Sequence, residues 1–393
     1  MRTLVPLLSF CSLVLLFSGA AIAQNGSKER ARDLGIPFDG IPGKNNSITD
    51  VPGVEVGYTT IIKDTGKLVY GKGPVRTGVT VILPKGKTDG NYPAAWFSLN
   101  GDGELTGLPY IEDYGMGYGP VGITNTNSVG TVKDAIGQWS FKKFSKGDFV
   151  DFSFGLPVVG ETWDGMLNDI NGFHVKQEHV LRALDSAKGG KIAEGNVGGG
   201  TGMALYGFKG GSGTASRKFM IDSVQYTLGV FVQANFGGRN ELTIAGVPVG
   251  KEIKDLFPVL HDPKRKDGSI IVIVATDAPL LPGQLKLVAK RITHGIARTG
   301  TYSHDGSGEI FLALSTATPS YNNNGAKETW AVLPKWKIDP VFKATVEATE
   351  EAIINALVAA EDMEGINHNK FFAIPHDRLK EVMKKYNRLA PVK

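Results

Sequence analysis

The pattern of apolar and polar positions changes character several times along the chain. Residues 4–17, after Arg2, are almost wholly apolar. Residues 24–44 are polar, with Gly and Pro, and predict an extended lead-in. Val54, Val56 and Tyr58 then alternate with their neighbours at period two and start a series of short strands. Residues 78–83 (Gly-Val-Thr-Val-Ile-Leu) and 94–99 (Ala-Ala-Trp-Phe-Ser-Leu) predict strands. Residues 161–186 are expected to be helical, with an amphipathic helix at about 176–187. Residues 189–214 are so rich in glycine that they are expected to form a loop or a set of turns. Strand character returns at 222–235. Residues 251–268 are largely polar and basic, an expected exposed linker ending Lys264-Arg265-Lys266-Asp267-Gly268. The run Ile270-Ile271-Val272-Ile273-Val274-Ala275 predicts a strand buried on both faces. A helix at 281–299, a strand at 309–316 and an Ala-rich helix at 340–361 follow. Strands and helices mix without strict βαβα alternation, which predicts a layered α/β or α+β chain and disfavours a Rossmann fold or a TIM barrel.

The apolar start reads as a targeting segment rather than as part of the fold. Arg2, the apolar run and the small-residue site Ala21-Ile22-Ala23 before Gln24 make residues 1–23 an expected secretory signal peptide. The run is short for a membrane anchor, and no later stretch of sequence is long and apolar enough to span a bilayer. A periplasmic or secreted protein is the expectation, with no membrane partner after signal removal. The single cysteine, Cys11, lies inside that segment. Its removal would leave no thiol for disulfides, metal binding or nucleophilic attack.

Composition narrows the partners. A chain of 393 residues with 41% hydrophobic and 21% charged residues is ordinary globular protein, too long for one small domain. A net charge of +4, with its basic residues scattered, implies no nucleic acid partner. The 51 glycines show no G-X-Y period and predict tight turns and close backbone approaches.

Common catalytic signatures are missing. There is no H-E-x-x-H, no phosphate-binding G-x-x-x-x-G-K-[ST] and no G-x-S-x-G. Gly198-Gly199-Gly200-Thr201-Gly202 lacks the last glycine of a dinucleotide fingerprint, because Met203 stands there. His174 and His179 are five apart and do not share a helical face, so no metal site is assigned and no cofactor is expected.

The informative junction is Gly268-Ser269, where the linker meets the buried strand. On local grounds Asp-Gly-Ser is an ordinary turn. A second reading has specific chemistry. A serine hydroxyl needs a base. Were the chain cut before Ser269, the serine's own α-amino group, with a pKa of about 7.7–8.0, could take the hydroxyl proton. No histidine, thiol or metal would be required. Gly268, with no Cβ, would let the chain bend for self-attack.

Long stretches in order then carry a resemblance. They are Ile48-Thr49-Asp50-Val51-Pro52-Gly53-Val54, Asn100-Gly101-Asp102-Gly103-Glu104-Leu105-Thr106-Gly107 and Gly195-Asn196-Val197-Gly198-Gly199-Gly200-Thr201-Gly202-Met203. A looser match at Gly246-Val247-Pro248-Val249-Gly250 follows, and then Gly268-Ser269-Ile270-Ile271 running on to Ala275-Thr276-Asp277-Ala278-Pro279-Leu280. The chain resembles the L-aminopeptidase/D-Ala-esterase/amidase family, which includes the β-peptidyl aminopeptidases. The resemblance implies a four-layer α/β/β/α sandwich like that of N-terminal-nucleophile hydrolases. It implies self-cleavage into an α chain, 24–268, and a β chain, 269–393, which together form one catalytic domain, and a homo-oligomer of such αβ heterodimers.

It also implies roles. Ser269 matches the nucleophile, Ser307 and Glu309 the residues that orient it and its amine, and Asn235 the asparagine that stabilises the oxyanion. Glu161 matches the carboxylate that binds the free amine of the substrate. Trp163 stands where some relatives carry tyrosine; an indole has no hydroxyl to offer, so Trp163 reads as a pocket wall. Each has a plainer local reading: a polar turn before a strand for Ser307 and Glu309, a turn cap for Asn235, a solvated helix-start residue for Glu161. The implied activity is aminopeptidase action on short peptides, amides and esters bearing an N-terminal β-amino acid, D-Ala or Gly. The alternatives are an amidase or acyltransferase with the same nucleophile, or a non-catalytic secreted protein that binds small molecules.

Overall fold

The structure, a computed structural model of the unbroken chain, describes residues 28–145, 156–261, 268–317, 320–321 and 328–390. The expected signal peptide and linker residues 262–267 lie outside the described residues.

The first half of the chain builds strands β1 (Glu55–Lys63), β2 (Val75–Leu83), β3 (Asn91–Gly101), β4 (Met116–Tyr118), β5 (Val121–Asn125) and β6 (Val158–Thr162). Helix α1 (Leu108–Tyr114) precedes β4, α2 (Val129–Phe144) follows β5, and α3 (Gln177–Ser186) follows β6. Next come a two-residue-strand hairpin, β7 (Ala204–Leu205) and β8 (Phe208–Lys209), and the long strands β9 (Gly211–Ile221) and β10 (Val224–Asn235). The short helix α4 (Val249–Glu252), β11 (Gly268–Thr276), α5 (Pro282–Ala297), β12 (Ser307–Ser315), α6 (Asp339–Val358) and α7 (His376–Lys385) complete the main elements.

Two sheets stack face to face. One has the order β1-β2-β5-β6 and the other β4-β3-β12-β11-β10-β9. In β11 the side chains of Ile270, Val272 and Val274 enter a core shared with α5 and α6, whereas Ile271, Ile273 and Ala275 enter the core between the sheets with Ile123 and Val158. That alternation is why β11 is apolar at every position. The outer face of the four-stranded sheet packs on α2 and α3 through Val79, Val132, Ile136, Val180 and Leu184. The layers therefore run helix, sheet, sheet, helix, as the family resemblance implied.

Several local expectations are corrected. Residues 161 and 162 end a strand, and helix in that region is confined to Gln177–Ser186, with only a 3₁₀ turn at Ile170–Gly172 before it. Gly165 and Gly172, both helix-weakening, lie in this irregular stretch. The glycine-rich run contains a 3₁₀ turn at Gly198–Gly202, but from Gly211 it is strand. There glycine serves packing: a Cβ on Gly213 would stand 2.1 Å from the Ala352 carbonyl oxygen of α6. The expected linker holds the short helix α4 near its start, and Gly268 belongs to β11.

Candidate active site

Ser269 is the second residue of β11, in the middle of the larger sheet. It pairs with Asn235, the last residue of β10, and with Gly308 of β12. Its side chain shares the inter-sheet face with Ile271 and Ile273, and the residue is only 3% exposed. Two donors converge on its Oγ: the Trp163 backbone N–H at 3.3 Å and the Asn235 Nδ2 at 3.4 Å. Trp163 follows directly on the end of β6, so the donors come from both sheets. The Asn235 amide is itself fixed. Its Oδ1 accepts from the Ala204 N–H at 2.8 Å, and its Nδ2 also donates to the Trp163 carbonyl at 2.9 Å. A preset amide dipole and a backbone N–H beside the hydroxyl lie next to where an oxyanion forms once that hydroxyl adds to a carbonyl.

Ser307 and Glu309 sit behind the nucleophile. By the alternation along β12 they share the helix-side face with Phe311 and Ala313, opposite the face that carries the Ser269 hydroxyl. The Ser307 Oγ donates to Glu309 Oε1 at 2.6 Å. A Cβ on Gly268 would lie 3.0 Å from the Ser307 Oγ. The Ser307 hydroxyl thus flanks the Gly268-Ser269 peptide. Gly268 lies in extended strand and is not among the residues with positive φ. In this conformation it leaves room for Ser307. Burial pushes the Glu309 carboxyl up to about 7, against the Ser307 hydrogen bond and the nearby His304.

Glu161 is buried near the end of β6. Its Oε1 accepts from the Glu104 backbone N–H at 3.1 Å, and its Oε2 accepts from the Thr126 hydroxyl. Burial raises its pKa, and those two hydrogen bonds partly offset the rise. Glu161 is therefore a buried strand residue, not the solvated helix-start residue of the local reading. The turn at 101–104 separates it from β12: a Cβ on Gly103 would be 3.2 Å from Glu161 Oε1, and one on Gly308 would be 2.2 Å from the Asp102 carbonyl oxygen. Asn100 holds the next turn in place by donating to the His304 and Asp305 carbonyls at 2.8 and 2.9 Å.

The structure thus brings Ser269, Asn235 and the Trp163 main chain together, sets Ser307 and Glu309 behind Gly268, and places Glu161 on the strand that ends just before Trp163. The Trp163 contribution at Ser269 is its backbone, while its indole lies against Gly165. Ala204, Thr126 and the Glu104 N–H were not singled out from sequence; Glu104 alone lies in a quoted stretch. A cavity of about 610 Å³ along α2, lined by residues such as Tyr118, Lys133 and Phe141, includes none of these site residues. Among the described residues no group of three or more His, Cys, Asp or Glu could hold a metal ion.

Fold and site together define an N-terminal-nucleophile hydrolase, with a buried serine heading a central strand between two packed sheets. The model of peptidase family S58 matches residues 46–371, and the chain belongs to that family. It is 49% identical to the beta-peptidyl aminopeptidase BapA of Sphingosinicella microcystinivorans, over 96% of this chain and 97% of that one. The corresponding protein of Sphingosinicella xenopeptidilytica is 45% identical, over 97% and 96%. Among solved structures, the L-aminopeptidase D-Ala-esterase/amidase from Ochrobactrum anthropi superposes with a TM-score of 0.85 at 45% identity, covering 92% of this chain and 99% of that one. It is described as a prototype for the serine aminopeptidases and a variant of the Ntn hydrolase fold. A Burkholderia sp. beta-aminopeptidase superposes with a TM-score of 0.81 at 42% identity, covering 91% and 99%. The chain is a hydrolase of the serine aminopeptidase class.

Proposed function

We propose that this chain cuts itself before Ser269 and then removes N-terminal β-amino acids from short peptides, amides and esters. The convergence of two hydrogen-bond donors on a serine hydroxyl that abuts the Gly268-Ser269 bond carries this reading.

In the unbroken chain the Ser269 Oγ attacks the Gly268 carbonyl carbon and gives up its proton to water. Asn235 and the Trp163 N–H stabilise the charge that develops, and the Ser307-Glu309 pair, a carboxyl titrating near 7 beside the scissile peptide, passes a proton to the departing Ser269 nitrogen. The product is an ester. Water hydrolyses it to a Gly268 carboxylate and a free Ser269 α-amine, giving chains 24–268 and 269–393.

That amine then serves as the base. It accepts the Oγ proton as Oγ attacks the first carbonyl of a substrate whose ammonium pairs with Glu161. The proton passes to the leaving amine, an acyl-enzyme remains on Ser269, and water releases the amino acid. An amine in place of water gives acyl transfer. The buried Glu161 explains a demand for an unblocked N-terminus, because a buried carboxylate gains most from a cationic partner. Trp163 walls the pocket with its indole. The preference for β-amino acids rests on the two BapA relatives; D-Ala derivatives, suggested by the Ochrobactrum anthropi enzyme, and Gly derivatives are the second substrate class. The leader sequence supports a periplasmic or secreted location, where the αβ pairs assemble into a homo-oligomer.

The test is a denaturing gel with N-terminal sequencing. Two fragments are expected, the smaller beginning Ser-Ile-Ile-Val. Ser269→Ala should give one uncut, inactive chain. A cut or active Ser269→Ala protein would sink the proposal, and an intact wild-type chain that still binds amino-acid amides would favour a binding protein.

A further inference from the structure

Lys209 is a lysine with no exposed surface, which is rare because an amine is costly to bury without partners. It ends β8, and its Nζ donates to two carbonyl oxygens, Met203 and Gly210, both at 2.8 Å. Burial pushes its pKa well below the ordinary lysine value, and the two N–H bonds of a neutral amine suffice for both carbonyls. The hairpin does not need this side chain to close. Leu205 already pairs with Phe208 and Ala204 with Lys209 along the backbone, and the Gly210 N–H reaches the Met203 carbonyl at 2.9 Å.

The position of the accepting carbonyl gives the amine a role. The Met203 C=O belongs to the same planar peptide group as the Ala204 N–H. That N–H holds Asn235 Oδ1 at 2.8 Å, and the other end of the Asn235 amide, Nδ2, faces Ser269 Oγ at 3.4 Å. The atoms form one line of donors and acceptors: Lys209 Nζ–H to Met203 O, Ala204 N–H to Asn235 Oδ1, Asn235 Nδ2–H to Ser269 Oγ. Each conjugated amide passes polarisation on, so a donor at the far end strengthens the donor at the near end. The first link also fixes the tilt of the peptide that orients Asn235.

We propose that Lys209 is a positioning residue for the hydrolytic reaction, orienting and polarising the Asn235 amide toward the Ser269 oxyanion through the Met203–Ala204 peptide. This rests on the nucleophile reading of Ser269 given above. Lys209 touches no substrate; its effect reaches the reacting atoms only through Asn235.

Lys209→Met keeps the stem and removes the donors. The matured enzyme is assayed with β-alanine p-nitroanilide. A fall in kcat of about 10-fold with KM within about 2-fold is expected, the size of one weakened hydrogen bond in the transition state. β-Alaninal, an aldehyde that adds Ser269 Oγ to form a tetrahedral oxyanion, should bind more weakly by the same factor, whereas β-alanine itself should bind as before. A merely structural role would weaken both ligands together and lower the melting temperature. Lys209→Gln, which keeps one amide donor, should lose less and show the same split between ligands; it carries the test alone if the Met variant does not fold. An unchanged kcat, or a parallel loss of aldehyde and β-alanine binding, would overturn the role of Lys209. Activity in Ser269→Ala would overturn the nucleophile reading instead.

Discussion

Glu351 and Glu309 are both buried carboxylates, at 0% and 1% exposure, yet their surroundings treat them in opposite ways. Glu351, on α6, lies among guanidiniums. Arg32 reaches its two oxygens at 2.7 and 2.8 Å, Arg217 pairs with it at 2.7 Å, and Asn46 adds a donor at 2.5 Å. Burial pushes its pKa up, but Arg217 and Arg32 outweigh that and hold it below the ordinary value. Glu309 has the Ser307 hydroxyl, one buried oxygen with no hydrogen bond, and a pKa pushed up to about 7. Glu161 is served by one hydroxyl and one backbone N–H. Among the described residues neither Glu309 nor Glu161 forms an ion pair with a lysine or arginine. The first region ties the lead-in to α6 and β9 and is electrostatically complete. The second is incomplete in a way that suits a cation, such as the proposed Ser269 α-amine or a substrate amine.

That contrast can be broken by mutation. The largest effect on stability should come from Glu351→Gln, which deprives Arg217, 1% exposed, of its nearest carboxylate. Breaking a buried pair this way should cost roughly 3 kcal/mol. Urea denaturation of the uncut Ser269→Ala chain would measure it, and kcat of the otherwise wild-type enzyme should be unchanged. A loss of kcat without loss of stability would erase the distinction between the regions.

Glu161→Gln should do the reverse. It should lower kcat/KM for free-amine substrates by about 10–100-fold, the range for losing a charged hydrogen bond, and leave the melting temperature near that of the parent. Steady-state kinetics with free and N-acetylated anilides would show whether discrimination between them shrinks.

The third effect should be a pH dependence at Glu309. Its carboxyl titrates near 4.5 when unfolded and at about 7 when folded. Between those values the folded chain holds a proton that the unfolded chain has lost, so stability is fully present below about 4.5 and falls as pH rises to about 7. In the Ser269→Ala background, Glu309→Gln should remove that slope. Urea midpoints at pH 4, 6 and 8 would show it, and an unchanged slope would assign the dependence to another group.

Much of this was legible in the chain itself. The unbroken apolar run after Ser269 marked a strand covered on both faces, and β11 is that strand. The helix at 282–297 follows from its apolar and basic sides, and most of the long helix at 339–358 from its alanine-rich composition. Helix α2 was missed because Gly130, Gly137 and several β-branched residues weaken its local signal, although Val129, Val132, Ala135, Ile136 and Trp139 still form a buried stripe. The stretch after Glu161 was misjudged for the opposite reason: a real helix at 177–186 lent its character to the loop before it.

The sequence by itself determined the elements that bury apolar residues at period two or near 3.6 and drew attention to Ser269, while its family resemblance added Ser307, Glu309, Asn235 and Glu161 as site candidates. Which atoms meet was decided only by the tertiary structure. Alternation along a strand assigns a face, but the approach of Asn235 to Ser269 across 34 positions depends on the register of β10 against β11. The Trp163 and Ala204 amides reach the site as backbone groups, which every residue but proline carries and no side-chain pattern can mark. For the same reason the burial of Lys209 behind Asn235 could not be read from a lone lysine in a glycine-rich run.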